Sequence, residues 1–214
     1  MYKKLLPKLR YVRIIVASSS KNRVTLLRSI GLYFIEFVDS GVKESSDSDS
    51  PYKIAVNNAL RKAKAVAAKV KDAIVIGVDT IVYINGEVLG KPKSVEEAED
   101  MLRKLRGRKH KVISGIAIID SDTGRLVTDY EETTVYVKEL SDEAIKNYVL
   151  TGEPLGKAGG YGIQGLGSFI IDRIEGCYYN VVGFPLTKVN DILVKHFNID
   201  LIKEYLRHTG RNPI

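Results

Sequence analysis

Ile74-Val75-Ile76-Gly77-Val78-Asp79-Thr80-Ile81-Val82-Tyr83-Ile84, followed at once by Asn85-Gly86, is the stretch on which the reading of this chain turns. Its β-branched residues suit a pleated, buried surface and predict a long strand. Asn-Gly is the strongest short-range hairpin signal, with Glu87-Val88-Leu89 as the returning strand. Inside this run lies a carboxylate. An ionised Asp79 buried without partners would cost several kcal/mol, or would take up a proton instead. The two-residue period of a strand puts Asp79 on one face with Gly77 and Ile81, which predicts open space beside the carboxylate. Asp79 is either a structural residue bonded to a neighbouring loop or a functional one. Lys91, in Gly90-Lys91-Pro92 at the far end of the hairpin, supports the functional reading by folding back toward Asp79.

Upstream, Arg13–Ala17 predicts a short buried strand and Ser18-Ser19-Ser20 a turn, with Leu26, Leu27 and Ile30 on the apolar side of a helix closed by Gly31. Ser45–Ser50, rich in serine and aspartate, predicts an exposed loop before Pro51. From Tyr52, a stripe of Ala55, Ala59, Ala63, Val66 and Val70 recurs at helical spacing, bordered by Lys62. Downstream, Ser94 and Glu97 predict a capping box for a helix over Val95–Leu105. A second hairpin follows over Val112–Asp120 and Leu126–Val137, then a helix from Ser141 to Leu150. The glycine-rich Gly156–Gly167 precedes a strand over Ser168–Ile174, and a last helix covers Leu186–His196. Helices alternate with strands but two hairpins intrude, which predicts an α/β fold with a mixed sheet. The 214 residues suffice for one compact unit, or two small lobes sharing a cleft.

An apolar content of 44% with 28% charged residues predicts a globular core and excludes disorder over most of the length. Cys177 is the only cysteine, which excludes an intramolecular disulfide and a cysteine-built zinc site and suits a reducing compartment. The basic start (Lys3, Lys4, Lys8, Arg10) leads through Arg13 into a strand, unlike a secretory signal, and no apolar run reaches membrane-spanning length. A cytoplasmic protein is expected. The net charge of +7 suggests either solubility alone or an anionic partner. His110, His196 and His208 lack ligand spacing, and neither a P-loop nor a Gly-x-Ser-x-Gly elbow is present.

Two further segments carry chemistry. Ser18-Ser19-Ser20 with Lys21 and Arg23 lies between a strand and a helix N-terminus, where free N–H groups and the helix dipole attract phosphate; an ordinary serine cap is the plainer alternative. Lys157-Ala158-Gly159-Gly160-Tyr161-Gly162-Ile163-Gln164-Gly165 lets backbone approach a ligand closely while Lys157 and Gln164 offer donors. A flexible surface loop is the alternative there. Gln164 is the one glutamine in the chain.

Four blocks in order resemble the Maf (septum formation inhibitor-like) nucleotide pyrophosphatase family over Ile14 to about Val189: Ala17-Ser18-Ser19-Ser20-x-x-Arg23-x-x-Leu26-Leu27; Ala59-x-x-Lys62-Ala63; Gly77-Val78-Asp79-Thr80-Ile81-Val82 with Gly90-Lys91-Pro92; and Gly152-Glu153-Pro154 through Gly165. The resemblance implies an elongated, two-lobed mixed sheet flanked by helices, like the inosine triphosphatases, with one domain over 1–214 and the active-site cleft between the lobes. It implies hydrolysis of nucleoside triphosphates to monophosphate and pyrophosphate with Mg²⁺ or Mn²⁺, in a homodimer that binds neither membrane nor, stably, nucleic acid. It makes Asp79 the essential acid and metal ligand, Lys62, Lys91 and Arg23 the triphosphate clamp, Ser18 a phosphate-contacting hydroxyl, and Glu44 the second metal carboxylate across a one-residue gap. Thr80 and the Gly-Ile-Gln-Gly form around Gln164 look like the branch acting on dTTP and UTP, with Lys157 and Gln164 at the substrate. The chain departs from the family where Lys21-Asn22-Arg23 replaces Pro-Arg-Arg.

Three other readings stay open. The same reaction could act on methylated GTP and CTP, or on inosine and xanthosine triphosphates. A non-catalytic nucleic-acid-binding or division-regulating protein would use the basic charge alone, but acidic residues intersperse the basic ones and no aromatic-basic platform is visible.

Overall fold

Alternation of buried residues builds a mixed seven-stranded sheet, in a computed structural model that describes residues 11–48 and 50–211. Lys3, Lys4, Lys8 and Arg10 lie outside the described residues. The elements run β1 (Arg13–Val16), α1 (Lys21–Ser29), β2 (Glu36–Phe37), α2 (Pro51–Ala67), β3 (Ala73–Ile84), β4 (Glu87–Leu89), α3 (Val95–Leu105), β5 (Lys109–Asp120), β6 (Leu126–Val137), α4 (Asp142–Leu150), β7 (Ile171–Glu175), α5 (Tyr178–Val182), α6 (Leu186–Phe197) and α7 (Leu201–His208). Antiparallel β3, β5 and β6 form the spine, and β7 adds to the outer edge of β6. The other edge of β3 is shared. Parallel β1 pairs with Ala73–Ile76 and antiparallel β4 with Val82–Ile84, so Gly77–Ile81 has no strand partner on that edge among the described residues.

The two faces of β3 lead to different cores. Ile74, Ile76 and Val78 pack with Leu26 and Leu27 of α1 and Ile192 and Leu193 of α6, while Val82 and Ile84 on the same face pack with Leu102 of α3 and Ile145 of α4. These are the two lobes. Thr80 lies between them, and its hydroxyl meets that of its cross-strand neighbour Ser114 at 2.8 Å, so a polar pair floors the cleft where the apolar cores part. On the opposite face, α2 crosses the sheet with Ala55, Ala59, Ala63 and Val66 fully buried.

Most predicted elements are observed, with six corrections. The face beside Asp79 is not open: a Cβ on Gly77 would meet the Ala59 carbonyl at 2.2 Å, and one on Gly115 would meet Ala55 at 2.2 Å. The glycines are there to admit α2. Ile30 is 39% exposed at the end of α1 rather than on its apolar side. The second hairpin begins three residues earlier than expected, at Lys109. The last strand starts at Ile171 because residues 166–169 form a 3₁₀ turn, and α5, α7 and β2 were not anticipated. Glu97 bonds the N–H of Lys93 instead of that of Ser94, although Ser94 does accept from Glu97 as a cap.

Gly77→Ala must push α2 off the sheet. Overpacking of this kind costs about 1–3 kcal/mol or more, and each kcal/mol lowers Tm by about 2–4 °C in a chain of this size. Gly90→Ala, where an added Cβ meets nothing within 4 Å, is the control and should melt like the wild type. Equal melting temperatures for the two variants would mean that the close approach of α2 is not a constraint.

Candidate active site

Three segments converge on the unpaired edge of β3. Residues 18–23 lead from β1 into α1, Ser40–Ser48 brings in Glu44, and Gly90–Pro92 joins the glycine-rich block around a cavity of about 330 Å³. Its wall includes Arg23, Glu44, Asp79, Thr80, Lys91, Lys157 and Gln164. This is the position, at the end of a parallel strand beside a helix N-terminus, where open α/β sheets bind ligands.

The carboxylates define its centre. Asp79 is 2% exposed, and Lys62, one of the few buried lysines a protein tolerates, reaches its Oδ1 at 2.5 Å and Glu44 Oε1 at 2.7 Å. Lys62 is seated there by α2, whose close packing lowers it onto β3. Lys91 closes the group from the solvent side, 3.2 Å from Glu44 Oε1. It folds back to Glu44, not to Asp79 as the hairpin suggested. Burial pushes the Asp79 carboxyl above its ordinary range against the pull of Lys62, and the charge of Glu44 adds to the rise. For Glu44, burial also opposes ionisation, but the hydrogen bond and charge of Lys62, reinforced by Lys91, hold it down at about 2. Two neighbouring carboxyl groups are thereby given different proton affinities, the arrangement that separates acid–base roles.

The cationic rim is organised by backbone. Arg23 is 9% exposed and donates from Nε to the Gly183 carbonyl at 2.8 Å, from Nη1 to Ser18 Oγ at 3.0 Å and from Nη2 to Thr80 Oγ1 at 3.4 Å. Ser18 is thus buried behind Arg23 rather than on the cavity wall, while Ser20 and Asn22 do line it. Lys62 also stands behind the wall, reaching the cavity through its two carboxylates. Lys21 is exposed and does not line the cavity, and Asn22 does.

The glycine-rich block is folded by a carboxylate that the sequence reading passed over. Glu153 accepts from the N–H groups of Leu166 at 2.8 Å and Gly167 at 2.9 Å and from the Tyr148 hydroxyl at 2.9 Å, and its carbonyl receives Lys157 Nζ. Gly159, at φ +71, lets the block dock on Gly90, whose carbonyl takes its N–H at 3.0 Å, so the Lys91 and Lys157 segments share one rim. Tyr161 is anchored beneath by His110 Nε2 at 2.7 Å, and burial lowers the His110 pKa to about 4, keeping the ring neutral. Gln164 is exposed at the cavity mouth. Asn58, also passed over, bonds Asp79 Oδ2 at 3.1 Å.

Removing the cation from a buried pair strands its partner. Lys62→Met should destabilise the protein by about 3–5 kcal/mol at neutral pH. An unpaired, buried Asp79 has a folded-state pKa above its unfolded value, so the deficit is full at high pH and shrinks as acidification protonates Asp79. Urea unfolding of both proteins across pH 4–8 measures this, and a deficit that is small or independent of pH would show that the pair carries little energy.

A family model described as Maf-like protein matches residues 13–196. A protein of Caldicellulosiruptor saccharolyticus named dTTP/UTP pyrophosphatase is 45% identical over 196 residues, spanning 89% of this chain and 98% of that protein. One of the same name from Thermoanaerobacter sp. is 47% identical over 192 residues, spanning 89% of this chain and all of that protein. A third, from Alkaliphilus metalliredigens, is 44% identical over 191 residues, 89% of this chain and 99% of its own length. The matched span runs from β1 into α6 and includes every residue of the cavity wall, and the chain belongs to the Maf-like family.

Proposed function

We propose that this protein hydrolyses dTTP and UTP to the nucleoside monophosphate and pyrophosphate, with Asp79 as the proton-accepting group and Glu44 as its ionised neighbour. The observation that carries the reading is the pair of carboxylates bridged by buried Lys62 at the wall of a cleft rimmed with Arg23, Lys91 and Lys157. The relatives named dTTP/UTP pyrophosphatase supply the substrate.

The residues fit a hard divalent cation. Among the described residues no group of three or more acidic, histidine or cysteine side chains gathers, and Mg²⁺ typically takes one or two carboxylates together with substrate phosphates and water. Asp79 and Glu44 would hold it, as Mg²⁺ or Mn²⁺, and when bound it supplies charge neutralisation on the phosphates and a more acidic water. Asp79, buried at the centre of the group, accepts a proton from the water that attacks the α-phosphorus. A P–O bond forms there as the bond to the β-phosphate oxygen breaks, and pyrophosphate leaves. Arg23 and Lys91 stabilise the charge that develops on it, Lys62 orients the two carboxylates from behind, Ser18 fixes the arginine, and Thr80 holds the cleft floor beneath the nucleoside. Lys157 steadies the glycine-rich rim and Gln164 reads the polar edge of the base with an amide that both donates and accepts. The same reading assigns the protein to the cytoplasm as a homodimer, with free nucleotide rather than nucleic acid as its anionic partner; no described helix is long and apolar enough to cross a membrane.

With Mg²⁺ or Mn²⁺ and a panel of dTTP, UTP, CTP, GTP, ITP and XTP, dTTP and UTP should be hydrolysed fastest, giving equal monophosphate and pyrophosphate. Gln164→Glu should change the order of preference. Diphosphate with orthophosphate as products, or a preference for ITP, would overturn the assignment.

Asp79→Asn keeps the side-chain volume and removes the charge. Loss of a general base typically lowers kcat by about 10²–10⁴-fold, and KM should change far less. Lys62 loses one of its two acidic partners but keeps Glu44, so the variant should still fold, with a loss of stability smaller than the about 3–5 kcal/mol of a fully broken buried pair. Near-normal turnover, or activity lost only in step with folded protein, would make Asp79 a structural residue.

A further inference from the structure

Asn58 sits on α2 one turn before Lys62 and is 2% exposed, and its amide uses every hydrogen-bonding group it has. Oδ1 accepts from the Ser45 N–H at 2.9 Å, and Nδ2 donates to the Ser45 carbonyl at 3.0 Å and to Asp79 Oδ2 at 3.1 Å. The orientation is forced: only the oxygen can take the Ser45 N–H, so the NH₂ must face both the Ser45 carbonyl and the carboxylate. Lys62 occupies the other oxygen of Asp79, so each oxygen receives one donor from α2.

Ser45 follows Glu44 in a segment without regular secondary structure. The segment's remaining hydrogen bonds are local, such as Gly41 to Asp39, Val42 to Ser40 and Asp47 to Ser45. Among the described hydrogen bonds of residues 41–48, the ties to the rest of the protein are Ser45 to Asn58 and Glu44 to the two lysines. Lys91, on the solvent side of Glu44, is open to competition from a phosphate, whereas Lys62 stays buried behind the wall. The amide pairing with Ser45 mimics a sheet ladder and involves no charge, so nothing in a substrate competes for it.

We infer that Asn58 is a positioning residue that clamps the Glu44 segment to Asp79, keeping both carboxylates aimed at one point after the nucleotide has drawn Lys91 away. The inference rests on the functional reading above for its purpose, but the clamp itself exists without substrate or metal. Asn58→Leu keeps the bulk and deletes all three bonds. In the metal-free protein, amide hydrogens of residues 41–48 should then exchange about tenfold faster or more, while the core of α2 stays protected. Losing a group that orients metal ligands costs about 10–100-fold in metal affinity or activity. Mn²⁺ binding measured by electron paramagnetic resonance should weaken by that order, and kcat should fall by a similar factor. In a Glu44→Gln background the same substitution should cost less in kcat than in the wild type, because the part of its effect that passes through Glu44 is already lost and only its bond to Asp79 remains. Asn58→Ser replaces the leucine variant if that one does not fold. Unchanged exchange at 41–48, unchanged Mn²⁺ affinity, or an equal further loss in the Glu44→Gln background would each overturn the inference. A wild-type protein that hydrolyses no nucleotide, yet shows the exchange and Mn²⁺ effects, would sink the functional reading and leave the clamp standing.

Discussion

The depth to which α2 settles on the sheet governs everything else at this site. Gly77 on β3 and Gly115 on β5, with Ala55, Ala59 and Ala63 above them, let helix and sheet backbones touch with no side chain between. Gly115 is also the cross-strand partner of Asp79, so the carboxylate has no side chain beside it in that direction. A helix held even one methyl group higher would carry Asn58 and Lys62 away from Asp79. Burial would then push the aspartate toward its neutral form, because a buried carboxylate keeps its charge only with donors in contact.

Electrostatics and packing are thus one arrangement. The apolar cores of the two lobes supply rigidity and low polarity, and the hydroxyl pair of Thr80 and Ser114 marks the seam between them. At that seam the sheet edge is unpaired, so backbone, two carboxylates and three basic side chains face a common space. Burying Lys62 costs solvation, which two acidic partners offset. Glu44 sits between Lys62 and Lys91, so the charges are mutually neutralised, and Lys91 is the member of the group that a phosphate chain can reach.

Periodicity made the spine legible. The β-branched run of β3, the Asn85-Gly86 turn, the alanine stripe of α2 and the caps at Ser94 and Ser141 each carry a local signal that the tertiary structure respects. Asp79 was visible because a carboxylate in an apolar strand violates its surroundings, and Lys62 because its spacing kept it beside a buried stripe. What was not legible depends on contacts distant in sequence. Gly77 gives no sign of whether its missing side chain leaves a void or admits a helix, and here it admits one. Asn58 looks like any polar residue on a helix until the Ser45 loop is folded over it. Five-residue α5 is too short to show a period. For α7 a signal was present and unused: Asp200 caps the N–H groups of Ile202 and Lys203 just after Asn198 closes α6 in a left-handed turn.

The three spine strands have a mechanical meaning as well. β3, β5 and β6 each run for twelve residues and contribute side chains to both lobes without a break. Lobes joined by a flexible linker can swing like jaws on a pin; lobes joined by three hydrogen-bonded rods cannot. Closing the cleft by rotation would mean bending those rods together, against every ladder bond between them. What borders the opening is a set of separate pieces, the glycine-rich rim, α5 and the Glu44 segment, each held in place by its own side-chain bonds. The cleft is therefore a stiff trough with Asp79 set in its wall, a shape fixed by the sheet rather than by the angle between two hinged bodies.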